Sequence, residues 1–164
     1  MQINMEPELV DEVIEEALSH ISRHGQEHSI CFVHSGQDSD ALLLASMDAR
    51  LVMQVLINLV DNAIMHTPKG SSIEISAQKK GSFIEISVAD DGQGLPAQHL
   101  DRLFDMFYTV NSGVSDSHRG LGLGLALCKS IVNAHGGSIS AKNRSPHGAV
   151  FTFTLPAKEV PINE

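Results

Sequence analysis

Three short stretches of this 164-residue chain carry residue types and spacings that could do chemistry. Gln54, Asn58, Asn62 and His66 stand four apart, so on a helix they form one polar line. Val55, Leu56, Leu59, Val60 and Ala63 make an apolar face beside it. Two amides next to a buried face need partners, because an unsatisfied buried amide costs about 1–3 kcal/mol. A neutral amide oxygen is also a hard ligand that suits Mg2+, an ion that keeps most of its waters and is usually shared with a nucleotide phosphate. A solvated helix face would show the same stripe. The second stretch is Asp90-Asp91-Gly92-Gln93-Gly94-Leu95. A carboxylate only accepts hydrogen bonds, so it can take one from an exocyclic amine such as adenine N6, and it would meet the carbonyl of guanine acceptor to acceptor. Glycines beside it let the backbone close on a flat ring. A plain Asp-Gly turn is the competing reading. The third is Arg119-Gly120-Leu121-Gly122-Leu123-Gly124-Leu125, at the start of an apolar-periodic segment. Backbone N–H groups at a helix start can converge on an oxyanion, and Arg119 would add a full positive charge. The glycines also permit a hinge. As a mere flexible lead-in they would be expensive, since each costs stability in a helical first turn. A GxxxxGK motif ending in Ser or Thr is absent, which excludes a P-loop. The run reads GxGxG after a loop instead of GxGxxG after a strand, which excludes a Rossmann site.

These stretches need elements to position them. Apolar residues recur at three- and four-residue spacing from Leu9 to Ile21, and Pro7 among acids suits a helix start, so a helix is predicted over 7–23. A strand over 28–34, a turn over 37–40 and a strand over 42–45 follow. Asp48 is the expected N-cap of a helix over 49–66, which stops before Pro68 and Gly70. Residues 71–79 and 83–89 alternate apolar and polar around Lys80-Gly81, a hairpin signal. The Asp-Gly loop thus leaves a strand end. A helix over 97–107, a mobile loop over 108–119, a helix over 122–134 and strands over 138–142 and 149–155 complete the chain. Interleaved helices with hairpins predict an α+β fold on a mixed sheet, not a doubly wound one. The length fits a single domain. Its core is expected at about 47–156, with 1–46 adding a helix and strands and 157–164 a frayed tail.

Composition narrows the function classes. Hydrophobic residues at 42% supply a core, and charged residues at 19% argue against wholesale disorder. A net charge of -9 disfavours nucleic acid, whose phosphates would be repelled. It leaves room for a small anion bound by local backbone dipoles. Cys31 and Cys128 sit among apolar residues outside any CxxC pair, so both are expected as buried, reduced thiols. No apolar run is long enough to span a bilayer.

The order of the motifs is more specific than any one of them. NLVDNA, then DDGQGL, then FDMF, a Ser-rich loop, GLGLGL and HGG resemble the boxes of bacterial sensor histidine kinases, within the GHKL ATPases that also include gyrase B, Hsp90 and MutL. The resemblance covers about 47–156, and the last third is similar to the potassium-sensor subfamily. It implies a two-layer α/β sandwich with about three helices on one face of the sheet. It implies Mg-ATP as ligand, with Asn62 on Mg2+ and Asn58 and His66 on the phosphate side. Asp90 would read adenine N6 beside Gly92, Gly94 and Leu95. Phe104 and Phe107 would anchor a lid running from Tyr108 to Leu121. Gly120, Gly122 and Gly124 would face the phosphates, Phe107, Tyr108, Arg119, Leu121, Leu123 and Leu125 would also belong to the ATP site, and Asn58 and Arg119 are the candidates for a catalytic role.

Two departures bear on the phosphates. Met65 and Thr109 stand where many members of the family carry a lysine and an arginine, and His66 would help electrostatically only when protonated. A modest ATP affinity is expected. The acceptor pattern of the family, histidine then acid then proline, is missing around His20, which is followed by Ile21, Ser22 and Arg23. The resemblance therefore implies an acceptor histidine on a separate dimerisation domain, a response regulator as the next recipient, and a cytoplasmic placement in a parent protein anchored to the membrane elsewhere. A GHKL serine kinase of the anti-sigma type and a non-catalytic, ATP-gated binding module remain as alternatives.

Overall fold

Alternation of apolar and polar residues builds a five-stranded sheet in the computed structural model, which describes residues 2–21, 28–34, 42–105 and 123–158. In chain order the elements are β1 (Glu6–Leu9), α1 (Val10–Ser19), β2 (Ser29–His34), β3 (Leu44–Met47), α2 (Ala49–Met65), β4 (Ser72–Lys80), β5 (Phe83–Asp90), a 3-10 helix (Ala97–Arg102), α3 (Leu123–Ala134), β6 (Ile139–Asn143) and β7 (Ala149–Pro156). The main sheet has the order β2-β4-β5-β7-β6. Only β2 and β4 run parallel, so the sheet is mixed, as expected. Ile73, Ile75 and Ala77 of β4, Ile84, Ile86 and Val88 of β5, and Phe151, Phe153 and Leu155 of β7 all point to one face and are buried. The period of two that makes each a strand thus also makes one face of the sheet apolar. The opposite face carries polar pairs such as Ser87 and Thr152, whose hydroxyls lie 2.9 Å apart.

Helices cover the apolar face. α2 buries Val52, Val55, Leu56, Leu59, Val60 and Ala63, and α1 buries Val10, Val13, Ile14 and Ala17 in the same cluster. α3 adds Cys128, Ile131 and Val132. The result is a two-layer α+β sandwich with three helices on the sheet.

Several expectations change. Residues 6–9 form a strand, not the first turn of a helix, and pair antiparallel with β3 in a separate two-stranded sheet. Pro7 fits there because β1 is an edge strand, with β3 as its one ladder partner among the described residues. The helix starts at Val10, and β3 lies two residues beyond its expected position. Asp48 occupies the N-cap position of α2, but its side chain makes no cap hydrogen bond. Its carboxylate is drawn away by the Asn4 N–H at 3.1 Å and by Arg50 at 3.7 Å. The N–H groups of Leu51 and Val52 go to the Asp48 backbone carbonyl instead. Residues 97–102 form a 3-10 helix, not an α-helix. Cys31 is exposed on the edge strand β2, contrary to expectation, whereas Cys128 is buried. Burial pushes the Cys128 thiol up to about 12, so it stays protonated at neutral pH. The predicted turn at 37–40 and the loop at 108–119 lie outside the described residues.

Candidate functional site

Asp90 continues the inward row Ile84, Ile86, Val88 of β5, so the strand's own alternation buries a carboxylate, at 6% exposure, at the sheet end. A buried carboxylate must be hydrogen-bonded to be tolerated. Oδ1 of Asp90 accepts from the Gly92 N–H at 3.0 Å and the Ala149 N–H at 3.2 Å. Among the described residues Oδ2 has no such donor, which leaves one acceptor for a ligand. Asp91 points the other way, and its Oδ1 accepts from the Ser72 N–H at 2.8 Å.

Both loop glycines are sterically required. A Cβ on Gly92 would lie 2.7 Å from Thr67 Cγ2. Gly94 has φ +85, and its Cβ would lie 2.8 Å from Asn143 Oδ1. Thr67, just past the C-terminus of α2, donates from Oγ1 to the Ala63 carbonyl at 2.8 Å and so is fixed against the Asp90–Gly92 turn. That hydroxyl proton is committed, so the His28 ring donates from Nε2 to Thr67 Oγ1 at 2.9 Å. Sequence reasoning missed Thr67; its position one turn beyond the asparagine line was the available signal.

The asparagine line forms on α2 as expected. Gln54 Nε2 donates to Asn58 Oδ1 at 2.8 Å, and Asn58 Nδ2 points to the Gly124 carbonyl at a long 3.4 Å. Asn58 thereby links α2 to the first turn of α3. Asn62 is half-buried, and its side-chain amide has no hydrogen-bond partner among the described residues. His66 caps the helix end, exposed, with its N–H on the Asn62 carbonyl at 3.1 Å. Leu95 and Leu125 are half-buried against the core. Gly124 has open space where a Cβ would stand, so no described neighbour demands glycine there. The backbone of Leu123 opens α3. Phe104 packs edge-on against Phe151, with ring centroids 6.1 Å apart at 82°. Phe107, Tyr108, Arg119, Gly120, Leu121 and Gly122 lie outside the described residues.

The sequence resembles known proteins over most of its length. It is 45% identical over 155 residues to the sensor protein KdpD of Clostridium acetobutylicum, covering 94% of this chain and 17% of that protein; the similarity agrees with the resemblance of the last third. The catalytic domain of histidine kinase ThkA superposes with a TM-score of 0.79 at 29% identity, covering 94% of this chain and 96% of the other. ThkA solved in complex with the response regulator protein TrrA gives 0.75 at 28% identity, covering 94% and 42%. This chain therefore spans about a sixth of its KdpD relative. A model of the histidine kinase-, DNA gyrase B- and HSP90-like ATPases matches residues 47–159, and the chain belongs to that family.

Proposed function

We propose that this chain is the ATP-holding catalytic domain of a sensor histidine kinase, which binds Mg-ATP and donates the γ-phosphoryl group to a histidine on a separate dimerisation domain, for relay to a response regulator. The observation that carries this reading is Asp90, a buried carboxylate with one oxygen pinned by two backbone donors and the other open. That arrangement suits the amine edge of adenine and opposes the carbonyl edge of guanine. Gly92, Gly94 and Leu95 line the same turn, and the kinship with histidine kinases gives the reaction class.

Asn62 suits Mg2+ by its chemistry, as a half-buried neutral amide without a protein partner among the described residues. No group of three His, Cys, Asp or Glu gathers among the described residues, so a cation there would be shared with phosphate oxygens instead of caged by the protein. Bound Mg2+ supplies neutralisation of charge between the phosphates. Asn58 orients the phosphate side from the same helix, and His66 adds charge when protonated. Phe107, Tyr108, Arg119 and the glycines 120, 122 and 124 serve as lid and phosphate cradle in this reading, with Leu121, Leu123 and Leu125 alongside. The chemistry is then positioning and charge stabilisation, with the nucleophile supplied by the partner domain. No helix among the described residues is long and apolar enough to cross a membrane. In this reading, which rests on the kinship with sensor kinases, the domain is the cytoplasmic part of a kinase anchored elsewhere.

The test mixes this chain with a separately made acceptor-helix domain and γ-labelled ATP. The expected product is label on the acceptor that is lost in acid and kept in alkali. Acid-stable phosphoserine would replace the reading with a serine kinase, and nucleotide binding without transfer would replace it with a binding module.

A further inference from the structure

The register of the sheet places a second loop beneath the Asp90 turn. Ala89 pairs with Val150 and Asn143 with Ala149, so the β6–β7 connection, 144–148, lies at the same sheet end as 90–95. Asn143, at the end of β6, and three residues of the connection grip that turn. Asn143 Oδ1 accepts from the Leu95 N–H and Asn143 Nδ2 donates to the Leu95 carbonyl, both at 2.7 Å. One side-chain amide thus makes the two-point pairing that a neighbouring strand would make. Arg144 Nη1 donates to the Asp90 carbonyl at 2.8 Å. His147 Nδ1 donates to the Gly92 carbonyl at 3.1 Å. Gly148, at φ +110, passes so close that a Cβ would collide with the Asp90 carbonyl oxygen. The connection is itself closed by the Arg144 N–H on the Gly148 carbonyl at 2.9 Å. The carbonyls of Asp90, Gly92 and Leu95 are therefore all tied to a segment some fifty residues further along the chain.

We propose that Asn143, with Arg144 and His147, is a positioning clasp that sets the direction of the open Asp90 carboxylate oxygen and so sets purine selectivity. This rests on the reading of Asp90 as the adenine contact. Asn143 and both its hydrogen bonds are exposed, so water can replace them when the side chain is removed, and its loss should cost the site more than the fold. A loop merely needed for folding would weaken all nucleotides alike. A clasp that aims Asp90 weakens only the nucleotides that carry an amine for Asp90 to meet.

The experiment compares Mg-ATP with purine riboside triphosphate, which lacks the exocyclic amine, by calorimetric titration of the wild type and Asn143→Ala. The wild type should prefer ATP. In Asn143→Ala the ATP dissociation constant should rise about tenfold, the scale of losing one well-placed polar contact, while purine riboside triphosphate changes by less than about twofold. Asn143→Gln, with the same amide on a longer arm, should recover part of the preference. Equal weakening of both nucleotides, or an unchanged ATP preference, would overturn the clasp while leaving the ATP reading intact. A wild type that binds neither nucleotide would overturn the ATP reading first. If Asn143→Ala melts early, Arg144→Ala removes only the Asp90 carbonyl contact and should still reduce the preference for ATP; an undiminished preference there also overturns the proposal.

Discussion

Burying a carboxylate at the end of an apolar row is costly, and Asp90 is tolerated because two N–H groups share one of its oxygens. The two oxygens therefore have different surroundings, and a substitution can separate them. Asp90→Asn keeps an acceptor for the Gly92 and Ala149 N–H groups and turns the other arm into a donor, which would meet adenine N6 donor to donor. The expected outcome is an ATP dissociation constant raised by at least about tenfold with the melting temperature little changed, read by calorimetric titration beside a thermal melt. Unchanged affinity would remove Asp90 as the base contact. At this scale the sequence was partly legible. Asp90, Gly92 and Gly94 announce themselves as an acid among glycines at a strand end. Asn143, Arg144 and His147 do not, because only the pairing of β5 with β7 and of β7 with β6 brings them under the loop. Cys31 was misread because apolar neighbours in sequence do not reveal that its side of an edge strand faces out.

Among the elements, α2 was the most legible, since its apolar face repeats over four turns and Pro68 and Gly70 mark its end. β1 was not, because a proline among acids describes a helix start and an edge strand equally well. The end of α3 shows geometry that its motif alone does not explain. Gly136 takes φ +81, with its N–H on the Asn133 carbonyl at 3.0 Å, and the Gly137 N–H reaches the Val132 carbonyl at 3.1 Å. These two bonds form a Schellman stop. Gly137 then passes directly against β7, where a Cβ would collide with the Thr154 carbonyl oxygen, while nothing lies within 4 Å of the same position on Gly136. The two glycines should respond differently to alanine. Gly136→Ala should cost about 1 kcal/mol, the price of a left-handed residue. Gly137→Ala should cost roughly 2–4 kcal/mol, because a paired strand backbone must move. Denaturant unfolding of both variants checks the order; equal losses would contradict the contact with β7.

Over the whole molecule, Asp48 joins three separated parts. Its carboxylate holds the Asn4 N–H, its backbone carbonyl starts α2, and its N–H donates to His135 Nε2 at 3.0 Å. His135 in turn gives its Nδ1–H to the Ile131 carbonyl of α3 at 2.8 Å. The Asn4 N–H, helped by Arg50, holds the Asp48 carboxyl below its ordinary value of 3.8 in spite of burial. A lowered acid stabilises the fold above its unfolded value and loses that contribution as pH falls through the folded one. The stability difference between wild type and Asp48→Asn should therefore be full near neutrality and shrink below pH 3.8, as measured by urea midpoints across that range. A difference independent of pH would assign the effect to packing. The mixed sheet and three helices were legible from period and hairpin signals, whereas this junction was not, since it links Asn4, Asp48 and His135 across most of the chain. The fastening of the 90–95 loop has a consequence in time. A ribosome that has delivered Asp90 must add 59 more residues to reach Ala149, which takes roughly 3–12 s at ordinary rates of synthesis. Through that interval the nascent chain carries the 90–95 loop without its fastenings, so on the proposed reading competence to hold nucleotide arrives only with β7, however early the helices settle.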